Sequence, residues 1–289
     1  MADVVNASTV AEVAVRTGSE REAAWIVEHV AATGGDSTTV RARALALAGR
    51  VAAGEPLQYV LGTWAFRTLE LVVDRRVLIP RPETEQVAEV ALTELDRVAA
   101  APGEGLLAVD LGTGSGAVAL SLAAEGRTRD RPFVVWATDV SSDALAVTRV
   151  NLDRLAATDA PAASRVRLAH GSWFTALPAT EAGRLDLVVA NPPYVSEEEF
   201  AVLPAVVREH EPRGALVSAR GAGGVPGAAD LEAVIAGAAR WLRRGGALVV
   251  ELAPAQAYAA IDAARRAGFA RVGTAHDLAG RMRMLVAER

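Results

Sequence analysis

The chain has 289 residues, 30 basic against 35 acidic side chains, a net charge of -5, and a composition 51% hydrophobic and 22% charged, which suits a folded soluble protein of about two domains. It has no cysteine, and every basic residue is arginine, so disulfides, thiolate metal sites, cysteine nucleophiles, Schiff-base lysines and the lysine of a phosphate-binding P-loop are all excluded. The acidic balance speaks against a basic nucleic-acid surface as the main feature.

Met1–Val15 carries Asp3 and Glu12 and no arginine, unlike a targeting segment. The uncharged stretch Leu111–Ala124 is 14 residues long, short of the ~20 that span a bilayer, so a cytoplasmic protein without membrane contact is expected. Residues 1–56 read as three short helices, Ser8–Arg16, a second opened by a capping-box pattern at Ser19 and Glu22, and a third through Val40, Ala44, Leu47, Ala48 and Val51, with stops at Gly18 and Gly54. Residues 57–80 change to β-forming runs (Gln58–Val60, Trp64–Leu71, Val72–Val73, Val77–Ile79), which predicts a β-hairpin linker. Pro82 then suits the first turn of a helix whose Val87, Val90, Ala91, Leu95 and Val98 share a face. This opens a third unit, residues 81–289.

Beyond Gly105 strands and helices alternate, the pattern of a mostly parallel sheet covered on both faces. Strands are expected at Leu106–Leu111, Phe133–Thr138, Val166–Ala169, Leu185–Ala190, Ala215–Ser218, Ala247–Leu252, Ala270–Thr274 and Met282–Ala287, with helices at Ala117–Ala124, Ser142–Ala157, Asp230–Leu242 and Ala255–Ala267.

Two motifs carry chemistry. Asp110-Leu111-Gly112-Thr113-Gly114-Ser115-Gly116 follows an apolar strand and opens a helix, where an open α/β sheet binds nucleotide-like ligands. Its G-x-G-x-G spacing meets the dinucleotide pattern only in part. Asp110 would attract a cation and repel a diphosphate, which favours S-adenosylmethionine, with its sulfonium and ammonium. Asp139, 29 residues further on, ends the next strand, where a carboxylate can accept both ribose hydroxyls of either cofactor type. The second motif, Asn191-Pro192-Pro193-Tyr194, follows the strand Leu187–Ala190. Its prolines stop the strand and lack N–H groups. The Asn191 side-chain oxygen and the Pro192 carbonyl are acceptors for a planar NH2, and Tyr194 is an aromatic wall for it. Acceptors fixed on both hydrogens would orient a poorly nucleophilic amide and stabilise the charge developing on it. The pattern serves a glutamine amide, adenine N6 or guanine N2 alike, and a non-catalytic cofactor-binding scaffold is a further reading. The four histidines, His29, His170, His210 and His276, have no metal-ligand spacing, so no metal is expected.

The glycine loop, the Asn191 tetrad, Gly54–Gly62, Val77–Glu85 with its Ile79-Pro80-Arg81-Pro82-Glu83-Thr84-Glu85, Ala137-Thr138-Asp139, Glu211-Pro212-Arg213, and Asp277 with Gly280 and Arg281 together resemble the HemK/PrmC family, the N(5)-glutamine methyltransferases of peptide chain release factors. The resemblance implies a Rossmann-like class I S-adenosylmethionine-dependent methyltransferase of seven strands with an antiparallel last strand, a small amino-terminal helical domain that docks the substrate, and a hairpin linker. It implies methyl transfer, with S-adenosylhomocysteine as product, to the glutamine of the Gly-Gly-Gln motif in class I release factors. A monomer that does not bind nucleic acid directly is expected, the latter from the acidic balance. By the same resemblance Asp110, Gly112, Thr113, Gly114, Ser115, Gly116, Asp139, Trp173 and Asn191 would hold the cofactor, with Trp173 against its adenine. Asn191, Pro192, Pro193 and Tyr194 would form the glutamine pocket, Asn191, Pro192 and Tyr194 being catalytic, and Arg81, Pro82, Glu83 and Thr84 would close the site. Ser172, Ala253 and the loop Ser218–Ala229 depart from the family pattern.

Overall fold

The computed structural model describes residues 2–128 and 130–289; Met1, the first residue of the expected helical unit, lies outside them. Helices α1 (Ala2–Thr17), α2 (Glu20–Ala32) and α3 (Ser37–Ala52) come first. Gly18 and Gly54 adopt left-handed backbone, φ 73° and 97°, which costs glycine little and stops each helix. Ser19 accepts the Glu22 N–H, but its own N–H goes to Thr17 Oγ1, so the expected capping box is only half formed. Val13, Ala23, Ile26, Val27, Val30, Ala44 and Ala48 close on one another as a core of their own.

The run Gln58–Val60 is helical, not extended: it lies in the short helix α4 (Leu57–Leu61), opened by Pro56 and ended by Gly62 in left-handed backbone. Proline and glycine at these two positions frame a helical turn more strongly than three β-formers oppose it. Strands β1 (Thr63–Phe66) and β2 (Leu69–Val72) form the hairpin. Trp64 meets Trp25 of α2 edge to face at 5.5 Å, joining helices to hairpin. Val77–Ile79 also fails to form a strand, because its N–H groups have loop partners: Val77 donates to the Asp74 carbonyl, and Ile79 to Glu211 Oε2 at 3.2 Å.

The remaining elements are α5 (Pro82–Ala99), β3 (Leu106–Leu111), α6 (Ala117–Glu125), β4 (Phe133–Asp139), α7 (Ser142–Thr158), α8 (Ala160–Ala163), β5 (Val166–His170), β6 (Leu185–Ala190), α9 (Glu197–Ala201), α10 (Ala205–Arg208), α11 (Ala229–Trp241), β7 (Leu242–Glu251), α12 (Ala257–Arg266), β8 (Arg271–His276) and β9 (Met282–Glu288). Seven strands make one sheet in the order β5-β4-β3-β6-β7-β9-β8, with β9 antiparallel to both neighbours. Side chains alternate between its faces. Ala108, Leu187, Val189, Ala247 and Val249 pack under α5, α6, α7 and α8, while Val109, Val188, Ala190, Leu248 and Val250 pack under α11 and α12. Both faces are covered, so the strands read as continuous apolar runs. Ala215–Ser218, expected as a strand, is not part of the sheet. It makes a single bridge, Val195 with Val217, as its neighbours turn helical at Arg213–Ala215.

Asn151, buried on α7, ties hairpin to sheet. Its Oδ1 accepts the Val72 N–H at 2.6 Å, and its Nδ2 donates to the carbonyls of Val72 at 3.0 Å and Ser115 at 2.8 Å. Asn151→Ala strands three backbone groups in the interior. It is expected to lower unfolding free energy by about 2–4 kcal/mol in urea denaturation, in keeping with the cost of unpaired buried polar groups.

Candidate active site

Strand β3 lies at the switch point of the sheet, with β4 on one side and β6 on the other, and the backbones leaving these three strands border a cavity of about 480 Å³, a volume typical of small-molecule sites. Arg81, Thr84, Asp110, Gly112, Thr113, Gly114, Ser115, Asp139, Trp173, Asn191 and Pro193 all line it. Pro82, Glu83, Gly116, Pro192 and Tyr194 do not. The three loop glycines share left-handed backbone, φ 73°, 56° and 87°, which permits the sharp turn out of β3. A side chain on Gly114 would meet nothing within 4 Å, whereas at Gly116 a Cβ would fall 2.9 Å from Thr148. Gly114 therefore faces open space, and Gly116 is needed where the turn into α6 passes Thr148 of α7. The loop is held from α7 as well, since Thr148 Oγ1 donates to the Gly114 carbonyl at 2.7 Å.

Asp110 is buried, and its Oδ2 accepts from Thr113 Oγ1 at 2.7 Å and from the Ala119 N–H at 3.1 Å. Burial nevertheless pushes its carboxyl up to about 6, so a cation beside it would be stabilised. Asp139 takes one N–H on each oxygen, from Gly114 and Ser141, both at 2.9 Å. Burial raises its pKa while these donors lower it. Each oxygen keeps a lone pair for a hydroxyl. Trp173 holds left-handed backbone at φ 47°, a costly conformation for a bulky residue, and its ring lies 3.7 Å from where a Gly112 side chain would start. An open glycine turn, acceptors suited to a cation and a diol, and an indole on one wall fit S-adenosylmethionine.

Asn191 follows β6, and its Nδ2 donates to Thr84 Oγ1 at 3.2 Å. The tetrad is braced from behind. Val195 exchanges backbone bonds with Leu216 and Ser218 at 2.9 Å each, the Tyr194 carbonyl accepts Gln256 Nε2 at 3.2 Å, and Gly227 is required beside that carbonyl because a Cβ there would fall 2.3 Å from its oxygen. Burial, with the Glu251 charge adding to it, pushes the Tyr194 phenol up to about 12.

Two carboxylates with no assigned role stand behind this wall. Glu211 is buried and accepts Arg81 Nη2 at 2.5 Å together with the Ile79 N–H, which fixes the approach to α5. Glu251, at the end of β7 and 1% exposed, accepts Thr84 Oγ1 at 2.8 Å. Burial pushes it up to about 7, against the hydroxyl of Thr84 and the charge of Arg283. For Glu251 the sequence signal is an acidic residue ending the apolar run Ala247–Val250, where solvation is expected; Glu211 follows the polar Arg208-Glu209-His210 and carries no such signal. Glu83 turns away from the cavity to pair with Arg281 at 3.2 Å. Among the described residues no three His, Asp or Glu side chains gather as a metal site, and no helix is long and apolar enough to cross a membrane.

Residues 90–212 match the Methyltransferase small domain family. The chain is 39% identical over 239 residues to Release factor glutamine methyltransferase of Gloeobacter violaceus, covering 82% of this chain and 76% of that one. It is 41% identical over 241 residues to the enzyme of the same name from Moorella thermoacetica, covering 83% and 77%. Among solved structures it is similar to a methyltransferase from Pyrococcus furiosus at 19% identity, covering 78% of this chain and 90% of that one with a TM-score of 0.50, a likeness of fold.

Glu251 has a folded-state pKa above its ordinary value of 4.5. Between the two values the folded state binds more protons than the unfolded one, so this group's effect on stability worsens as pH rises through that window. In urea denaturation Glu251→Gln is expected to gain stability relative to wild type as pH goes from about 5 to about 8.

Proposed function

The chain belongs to the release factor glutamine methyltransferase family, and from that membership we propose that it methylates the side-chain amide nitrogen of the glutamine in the Gly-Gly-Gln motif of class I peptide chain release factors. S-adenosylmethionine, when bound, supplies an electrophilic methyl group. The observation that carries the reading is that the tetrad and the glycine loop open onto one cavity, with Asn191 and Pro193 on the same wall system as Gly112 and Gly114.

The chain's own residues account for the rest. Gly112–Ser115 and Asp139 would hold the cofactor, Asp110 would favour its cationic end from behind the loop, and Trp173 would cover a flat ring. Asn191 Oδ1 and the Pro192 carbonyl would each accept one hydrogen of the substrate amide, pointing the nitrogen lone pair into the cavity. Tyr194 and Pro193 would confine the amide plane. Arg81 and Thr84 would border the site, with Pro82 and Glu83 shaping the turn that presents them. No proton need leave before the bond forms, so positioning supplies most of the acceleration, worth on the order of 7–11 kcal/mol when reacting atoms are aligned. The helices of residues 1–56 would meet the release factor, with the hairpin setting their angle. We read the protein as a cytoplasmic monomer that acts without direct nucleic-acid binding, in line with its net charge of -5.

Incubation with methyl-labelled S-adenosylmethionine, purified release factor and DNA or RNA, followed by mass spectrometry, is expected to place the label on the motif glutamine; label on a base would overturn the reading. Asn191→Ala is expected to lose at least about 100-fold in transfer, the order seen when a transition-state hydrogen bond is removed, with its unfolding transition kept. Asp139→Ala is expected to weaken cofactor binding by roughly 10- to 100-fold in calorimetry, through lost charge-assisted hydrogen bonds.

A further inference from the structure

Asn191, Thr84 and Glu251 come from the end of β6, the first turn of α5 and the end of β7, and they meet in one file of hydrogen bonds. Asn191 Nδ2 donates to Thr84 Oγ1 at 3.2 Å, and Thr84 Oγ1 donates to Glu251 Oε2 at 2.8 Å. Thr84 and Glu251 are buried; Thr84 and Asn191 border the cavity. We propose that Glu251 is a positioning residue that, through Thr84, dictates which end of the Asn191 amide faces the substrate. The inference rests on the amide-methylation reading above.

The direction of the file follows from what each group can do. A carboxylate only accepts, so the one hydroxyl proton of Thr84 is committed to it. The Thr84 oxygen is then left to accept, and Asn191 must offer its NH2 there. Its carbonyl oxygen becomes the end left for the substrate. A substrate NH2 brings only donors on its hydrogens, so an asparagine presented the other way round would set donor against donor. Protonating Glu251 removes the constraint: the acid can donate to Thr84, the Thr84 proton can turn to Asn191, and the amide can reverse.

The groups around Glu251 place it where this matters. Thr84 and Glu83 face it from α5, Arg283 from β9 and Tyr194 from the segment after β6. Arg283 and the Thr84 and Tyr194 hydroxyls favour the ionised form, while burial and Glu83 oppose it and hold the group near neutrality. Arg283 Nε is buried without a hydrogen-bond partner and lies 3.7 Å from Asp277 Oδ2, so its charge acts on both Asp277 and Glu251.

The test is a single-turnover pH profile on the full chain with release factor, with cofactor affinity measured alongside. In wild type the methyl-transfer rate is expected to rise with pH through the ionisation of Glu251. In Glu251→Gln that limb is expected to vanish and the rate to be lower and flat from about pH 6 to about pH 8. Thr84→Val keeps the shape and removes the hydroxyl. It is expected to slow transfer on the order of 100-fold, as small misplacements of reacting groups do, at unchanged cofactor affinity, and Thr84→Ser is expected to restore most of the rate. A Glu251→Gln profile that keeps the wild-type limb, or wild-type turnover by Thr84→Val, overturns the relay. Should Thr84→Val not fold, the Glu251→Gln profile decides alone. Wild-type protein that labels no glutamine refutes the functional reading instead, so the two failures are told apart.

Discussion

Parallel strands β3, β4 and β6 finish side by side, and past their last residues the regular ladder between them ends. Each chain must turn there and find new hydrogen bonds. After β3 three left-handed glycines make the turn, and the N–H groups of Gly112 and Thr113 are taken by the Thr138 carbonyl of β4. After β4 Asp139 accepts from Gly114 and Ser141. After β6 two prolines have no N–H to satisfy, and the bridge between Val195 and Val217 recovers the chain beyond them. The solutions to one backbone problem leave acceptors pointing at one space, which is why the cavity lies at this end of the sheet.

The buried carboxylates follow from the same geometry. Asp110 at the end of β3, Glu251 at the end of β7 and Glu211 before the Pro212 turn are each shielded from water and held by donors, from its own turn for Asp110 and from another part of the chain for the two glutamates. An isolated buried charge is costly. Glu211 and Glu251 join parts distant in sequence, the approach to α5 and its first turn, while Asp110 closes the local turn from β3 into α6. Asp110 and Glu251 are pushed up towards neutrality by burial, and folding stability is spent on fixing the wall of the site.

Much of this was legible in the sequence. The apolar runs of β3, β4, β6 and β7 marked a sheet covered on both faces, and the glycine spacing and the Asn191 tetrad marked two strand ends that meet, because their signals are local: composition, period and turn chemistry. Where local signals misled, a neighbour had intervened. Gln58–Val60 carries β-formers but sits between Pro56 and Gly62. Val77–Ile79 reads as a strand, yet Ile79 gives its N–H to Glu211, 132 positions away. Ala215–Ser218 has strand-like residues but no place in the sheet, where β6 is already paired by β3 and β7.

By itself the sequence determined the alternation of strands and helices, the amino-terminal helical unit, the glycine turn, the proline-stopped tetrad and kinship with a family of amide methyltransferases. Each depends on residues adjacent in the chain or one helical turn apart. Only the tertiary structure decided which of those residues border the cavity: Arg81 and Thr84 line it while Pro82 and Glu83 turn away. It alone brought Glu251 to Thr84 across 167 positions and turned the Asn191 NH2 toward α5. A side-chain amide has no preferred direction of its own; the donor or acceptor set against it chooses one, and that partner is known only once the chain has folded.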